Sequence, residues 1–214
     1  MNGDVTIGET TSEVDESFSD LIENADYGAS FHLEARKKNW GLFVEPLYMK
    51  MSADEKADDL IIEVEIEQWL VEFGGIYRIS EWFLGNSGDR EGSIDLLAGV
   101  RYFYLSVDMD FNLQPDIYGN EDWIDPFIGV IFKTKLSKKV SLALRGDIGG
   151  FGIGGSSDFV WNASAQLGYD FSKKTTLWFG YRVLYYDYKD ASGTSLFEWD
   201  MKTSGFLVGL GYRF

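Results

Sequence analysis

Hydrophobic and polar positions alternate along most of this chain, and the pattern is clearest over its last ten residues. One set of alternate positions there is wholly apolar and ends in two aromatic residues: Phe206, Val208, Leu210, Tyr212 and Phe214. Glycine, leucine and arginine occupy the positions between them. Because successive side chains point to opposite faces of a strand, this period of two predicts a β-strand with one apolar face.

The same period recurs upstream and predicts nine strands in all. They cover 27–36, 40–51, 60–77, 94–111, 123–136, 140–153, 158–171, 175–189 and 197–214. Very short basic turns at 37–39, 137–139 and 172–174 predict hairpins of antiparallel neighbours. The connections at 52–59, 112–122 and 190–196 are longer and more polar, so short turns lie at one end of the strands and long loops at the other. The link at 79–93 is the exception, because it is long but falls at the end with the short turns.

Residues 1–26 are polar and acidic, and they are predicted to form a separate segment ahead of a barrel domain at 27–214. Residues 5–7 are expected to be a short strand or the end of one, and 17–24 a helical turn or a loop. Bacterial outer-membrane barrels have an even number of strands. We therefore expect a tenth, abbreviated strand near residues 1–10.

Three features carry a family resemblance. They are the terminal Gly-Leu-Gly-Tyr-Arg-Phe, the repeated Ser-Lys-Lys turns, and the run Trp178-Phe179-Gly180-Tyr181-Arg182. The chain resembles small outer-membrane β-barrel proteins of Gram-negative bacteria, many of them uncharacterised. The resemblance implies an all-β, closed, up-and-down antiparallel transmembrane β-barrel of 8–10 strands, with 10 favoured.

The resemblance also implies partners and a location. We expect contact with outer-membrane lipid and insertion by the barrel-assembly machinery, which would read the aromatic pattern of the last strand as its signal. It implies no activity, because a fold does not fix a function. No signal peptide opens the sequence, so an exported chain would be a mature form or would start further upstream.

Composition narrows the function classes. A net charge of −16 disfavours nucleic acid, since phosphate binding needs clustered Lys and Arg. The absence of cysteine removes disulfides, thiolate metal sites and cysteine nucleophiles. No run of about 18 apolar residues predicts a membrane helix. We expect no cofactor and assign no metal site.

Alternation alone leaves open which face points inward, because a soluble ligand-binding barrel shows the same period. Two details favour an outward apolar face. The polar faces combine small residues with Arg and Asp, as a crowded interior requires. Aromatic residues gather towards strand ends, like the girdles at bilayer interfaces.

An outward apolar face places charges of both signs in the lumen. The predicted set is Glu34, Arg36, Glu45, Glu72, Asp95, Arg101, Asp125, Lys133, Arg145, Asp147, Asp170 and Arg182. Unpaired charges in a narrow lumen are costly, so a salt-bridge network that plugs the barrel is expected, with Arg101, Arg145 and Arg182 as its hubs. The alternative is a charge-lined, narrow channel for small solutes.

His32 is the single histidine, and Ser30 and Glu34 flank it at alternate positions. This set suggests an outer-membrane lipid hydrolase, but side chains two apart on one strand are about 7 Å apart, beyond hydrogen-bond reach. We therefore expect no enzyme activity. Glycines crowd 149–155, but no phosphate-loop Lys follows, so a flexible strand end is expected there.

The densest charge feature is acidic and includes Asp54, Glu55 and the alternating Glu63, Glu65 and Glu67. We expect a solvated outer rim that could meet a small solute or a surface partner. The apolar face changes phase near residue 68. This change suggests either a β-bulge or a strand that rises beyond the membrane.

Overall fold

The structure is a computed structural model that describes residues 2–7, 10–15, 25–57, 60–84, 90–111, 117–190 and 197–214. Every regular element within these ranges is a β-strand. No helix long and apolar enough to cross a membrane occurs among them. The expectation of a helical turn or loop at 17–24 lies outside the described residues.

The described strands number twelve. Six precede residue 85: β1 (Asn2–Ile7), β2 (Thr10–Asp15), β3 (Ala25–Ser30), β4 (Leu33–Lys37), β5 (Trp40–Ala57) and β6 (Leu60–Leu84). Six follow: β7 (Arg90–Phe111), β8 (Ile117–Lys135), β9 (Val140–Gly150), β10 (Phe159–Asp170), β11 (Thr175–Asp190) and β12 (Phe197–Tyr212).

All strands belong to one antiparallel sheet that is curled into an open half-barrel. Its order is β2-β1-β12-β11-β10-β9-β8-β7-β6-β5-β3, and β4 also pairs with β5. Each strand from β5 to β11 therefore pairs with the strand that follows it in sequence. Within the described ranges, β2 and β3 stand at the two ends of this order.

The prediction of an all-β antiparallel fold is confirmed, and each of the nine predicted runs corresponds to described strands. The predicted count of 8–10 is too low for two local reasons. Residues 31–32 interrupt the first run, so β3 and β4 pair in turn with β5. In addition, 2–7 and 10–15 form a hairpin whose first strand pairs with the start of β12.

The suggested bulge near Gln68 is wrong. Pairing of β6 with both neighbours runs without a shift there, and the irregularity lies between Arg78 and Ser80. Instead, the outward side chains of β6 change from apolar to acidic along one unbroken face. Val71 and Trp69 are followed, towards the start of the strand, by Glu67 and Glu65. The long link at 79–93 is an extension of the same hairpin, which pairs as far as Leu84 and Arg90.

The two faces of the sheet differ sharply in exposure. On the inner face, Glu72, Asp95, Arg101 and Asp125 are 0% exposed. On the outer face, large apolar side chains are open, and Val208 is 74% exposed. The alternation of the sequence therefore becomes a charged interior with an apolar exterior.

A pair of glycines lets two strands approach under an aromatic ring on the inner face. Gly74 pairs with Gly99, and a methyl group on Gly74 would lie 2.9 Å from the ring of Phe43. A methyl group on Gly99 would lie 2.2 Å from the backbone oxygen of Phe73. Backbone cannot yield as a flexible side chain does, so this contact forces a shift of the sheet.

We expect Gly99→Ala to lower the free energy of unfolding by about 1–3 kcal/mol through overpacking. Denaturant unfolding in detergent micelles measures it. Gly146→Ala is the matched control, since nothing lies within 4 Å of its added carbon, and its effect should stay within about 0.5 kcal/mol. Equal stability of the two variants would contradict this account.

Candidate functional site

Three arginines converge on one buried carboxylate at the centre of the half-barrel. Oε1 of Glu72 accepts hydrogen bonds from Arg101 Nε at 2.9 Å and from Arg182 Nη2 at 2.7 Å. Its Oε2 accepts from Arg145 Nη2 at 2.6 Å. Because β11 and β6 are five strands apart in the sheet, the bond from Arg182 spans the curled interior.

Two further acidic side chains balance the arginines. Asp147 accepts from Arg101 Nη2 and from Arg145 Nε, both at 2.8 Å. Glu45 accepts from Arg182 Nη1 at 3.3 Å. Three guanidinium groups therefore face three carboxylates, and this balance offsets the cost of removing each charge from water.

A neutral side chain completes this network. The amide of Asn162 donates to Asp147 Oδ2 and accepts from Arg182 Nε, both at 2.7 Å. It therefore links two charged groups whose strands are not neighbours. We call the seven residues the central network: Glu45, Glu72, Arg101, Arg145, Asp147, Asn162 and Arg182.

Aromatic rings lie against the guanidinium groups. The Arg101 guanidinium carbon is 4.9 Å from the centroid of Phe127, and that of Arg145 is 5.6 Å away. Phe43 lies 5.9 Å from the Arg145 carbon. Such cation–π contacts strengthen when they are shielded from water, so these rings both fill space and stabilise charge.

Apolar layers fill the interior on either side of the central network. Towards the end with the tight turns lie Phe43, Ile76, Leu97, Phe127 and Ile131. A larger cluster of eleven buried residues lies towards the other end and includes Phe103, Trp123, Tyr186 and Tyr188. The rings of Trp123 and Tyr188 stack with centroids 4.0 Å apart.

A second charged group lies nearer the tight turns. Asp95 accepts from Arg36 Nη2 at 2.7 Å and from Arg78 Nε at 3.0 Å. Arg36 also donates to Glu34, and the ammonium of Lys133 is 3.6 Å from Glu34. Arg78 was not among the predicted interior residues, because its strand continues past the predicted end at residue 77.

Asp125 binds a turn rather than an arginine. Its carboxylate accepts from the backbone N–H of Ser157 at 2.7 Å and from its hydroxyl at 3.0 Å. The glycine-rich stretch before Ser157 is a turn with positive φ at Gly150, Gly152, Gly154 and Gly155. Hydrogen bonds fold this segment back on the interior, while its expected flexibility stays a prediction.

The arrangement around His32 gives no hydrolase geometry within the described chain. Its Nδ1 lies 2.7 Å from Glu45 Oε2, and its Nε2 lies 3.4 Å from Glu34 Oε2. Both ring nitrogens therefore face carboxylates. Neither is left to activate a hydroxyl nucleophile, and neither bonds Ser30.

The structure places the predicted interior charges on the inner face but divides them into groups. Six belong to the central network, namely Glu45, Glu72, Arg101, Arg145, Asp147 and Arg182. Glu34, Arg36, Asp95 and Lys133 form the second group, while Asp125 holds the turn. Asp170 lies near the end of its strand, where it accepts from the Thr176 hydroxyl at 2.6 Å.

Sequence reasoning missed Asn162 and Ser157. Asn162 alternates correctly for the inner face, but small polar residues fill many inner positions, so nothing distinguishes it in advance. Ser157 lies in the turn between β9 and β10, where no strand period applies. Only the curvature of the sheet and the path of the turn bring them to their partners.

The residues predicted to form an assembly signal lie on the outer face of β12 and just beyond it. Val208 and Leu210 are more than 70% exposed, and Phe206 is 54% exposed. The rings of Tyr212 and Phe214 meet edge to face at 5.2 Å. This apolar row is therefore accessible along its whole length.

Acidic side chains dominate the end away from the tight turns. Burial raises the pKa of Asp187, and the carboxylates of Asp200, Asp158 and Glu198 raise it further. Glu65 pairs with Lys50 at 2.6 Å. The side chains of Asp54, Glu55 and Glu63 lie outside the described residues. Among those described, no group of acidic or histidine side chains could hold a metal ion.

Comparison of the chain with protein-family models, with curated proteins and with solved structures found no match in any of the three.

We expect Glu72→Gln to be strongly destabilising, because it leaves three buried guanidinium groups with too few carboxylates. Breaking a buried ion pair from one side costs about 3–5 kcal/mol. Glu91→Gln is the matched control, since Glu91 is exposed. Denaturant unfolding in micelles measures both, and a loss for Glu72→Gln no larger than the control's would show that the network adds nothing to stability.

Proposed function

We propose that this chain is a closed transmembrane β-barrel of the bacterial outer membrane, with a plugged lumen and a structural or interaction role. One observation carries the proposal, namely the inversion of the usual soluble pattern. Paired charges fill the interior while large apolar side chains cover the exterior. In water, an apolar surface this extensive favours association or a membrane.

The outer face has the dimensions that a bilayer requires. On β11 the outward residues from Leu177 to Tyr185 are apolar or aromatic, and the charged Asp187 follows. These eight residue steps cover about 26 Å along the strand at ~3.3 Å each, which is about 20 Å along the membrane normal at the ~40° tilt of such strands. That length is of the same order as the ~25 Å apolar band of outer-membrane barrels.

Closure would join β3 and β4 to the opposite edge of the sheet, where β2 and β1 already extend β12. Contacts across the interior already hold strands that are far apart in sheet order, since Arg182 meets Glu72 at 2.7 Å and Lys133 meets Glu34 at 3.6 Å. A closed barrel also removes the exposed strand edges that would otherwise invite aggregation or be costly in lipid.

The filled interior supports a plug rather than a channel. The central network is flanked on both sides by buried rings such as Phe127 and Trp123. Small barrels are filled by their own side chains, whereas open aqueous channels belong to barrels of about 16–18 strands. The acidic rim at the far end would then supply the surface for interaction.

Expression behind a signal peptide tests the closed membrane barrel. We expect the protein in the outer-membrane fraction and a faster-migrating gel band without heating, because a closed barrel resists detergent until it is boiled. In planar bilayers it should give no stepwise conductance. A monodisperse protein in buffer without detergent would overturn the proposal.

A charge introduced on the outer face tests whether lipid or water surrounds that face. We expect Val208→Lys to cost about 2–4 kcal/mol in phospholipid vesicles, as a lysine at the midplane does. Denaturant unfolding in vesicles gives the value. The control is Gly119→Lys, at an exposed position beyond the apolar band, and it should be near neutral. If solvent surrounds Val208, both changes will be near neutral.

A further inference from the structure

A cavity of about 860 Å³ opens at the end of the half-barrel that carries the tight turns. Its described lining holds nine Lys or Arg and four Asp or Glu, an excess of five positive charges. The whole chain has the opposite balance, with 19 basic against 35 acidic residues. Nearly half of all the basic residues therefore meet at one opening, which we call the basic mouth.

Some of these cations are already paired. Arg36 and Arg78 bind Asp95, and Lys135 lies 3.6 Å from Asp170. Others are not: within the described chain, Lys139, Lys173, Lys174 and Arg213 form no salt bridge. The excess charge of the mouth therefore resides on two turns and on the residue that follows β12.

The two turns have the same local structure. The Ser137 hydroxyl accepts from the backbone N–H groups of Lys139 and Val140 at 3.3 and 3.1 Å. The Ser172 hydroxyl accepts from those of Lys174 and Thr175 at 3.2 and 3.1 Å. Each turn thus carries its Lys-Lys pair on a backbone that is fixed by its own serine.

Two of these cations lie against aromatic rings at the outer rim of the mouth. The ammonium groups of Lys139 and Lys174 are 5.9 and 5.8 Å from the rings of Tyr169 and Tyr212. Trp178 faces the cavity, and its indole donates no hydrogen bond to the described chain. A methyl group on Gly168 would lie 2.8 Å from this indole, and one on Gly211 2.9 Å, so the ring occupies a slot that only glycine leaves open.

We propose that the basic mouth binds a phosphate-bearing ligand. A phosphate ester carries up to two charges and three acceptor oxygens, and lysine ammonium groups bind phosphate as point charges. One carboxylate would satisfy one or two of these donors, whereas the mouth offers Lys139, Lys173, Lys174 and Arg213. The phosphate could belong to a lipid headgroup or to a soluble ester. This inference does not depend on the membrane placement.

Titration calorimetry of the folded chain in maltoside micelles tests binding, with pyrophosphate as the soluble probe. We expect binding at low salt, weakened by the double change Lys173→Gln and Lys174→Gln by about tenfold, since each removed charge is worth a several-fold factor at contact in water. Because the Debye length falls to about 3 Å in 1 M salt, binding should be lost there.

The control variant removes two lysine charges from the end of the sheet opposite the basic mouth. Lys189→Gln with Lys202→Gln changes two exposed lysines and should leave pyrophosphate binding within about twofold. Arg213→Gln provides a further test that leaves both turns intact, and it should weaken binding several-fold. Equal losses in the two double variants would mean non-specific attraction and would overturn the proposal.

Mixed micelles distinguish the source of the phosphate. Thermal stabilisation by phosphatidylglycerol but not by phosphatidylcholine, lost in the Lys173→Gln and Lys174→Gln variant, would identify a headgroup. Pyrophosphate binding without that stabilisation would identify a soluble ester. Neither pyrophosphate binding nor a phosphatidylglycerol effect in the unmodified chain would overturn the proposal.

Discussion

The interior of this sheet depends on Glu72 having enough cationic partners. A carboxylate with 0% exposure is tolerated only when it is paired and hydrogen-bonded. Three guanidinium groups meet that need, and they come from β7, β9 and β11. No flat sheet could bring all three to one carboxylate, because β11 lies five strands from β6. Burial of the Glu72 charge therefore requires a curved sheet, in addition to the curvature that strand twist produces.

The same alternation that buries the charges exposes the apolar rows, so interior and exterior cannot be changed independently. Inner positions are further divided along the strands into a basic opening, a small apolar layer, the central network and a large aromatic cluster. Acidic side chains then dominate the far rim. Each level has its own chemistry, although every strand contributes to several levels through a simple period of two.

Sequence periodicity was sufficient for the strands from β5 to β12 and for which side chains share a face. Arg101, Arg145 and Arg182 could be placed inside because the opposite face of each strand is mostly apolar. The convergence on Glu72 could not be predicted, since it depends on how tightly the sheet curls. The link from Asp125 to Ser157 depends on the path of a turn. Near residue 68, the outward side chains of β6 change from apolar to acidic without any shift in strand pairing. In the sequence, such a change of polarity has the same pattern as a β-bulge.

The bond from Arg182 to Glu72 also bears on the order in which the chain folds. Strand pairing from β5 to β12 is between sequence neighbours, so hairpins can form locally and quickly. The link between Arg182 and Glu72 joins residues 110 positions apart. Until β11 has formed, Glu72 lacks one of its three guanidinium partners. We therefore expect local pairing to come early, and completion of the charged interior to be a late, long-range step that fixes the final curvature.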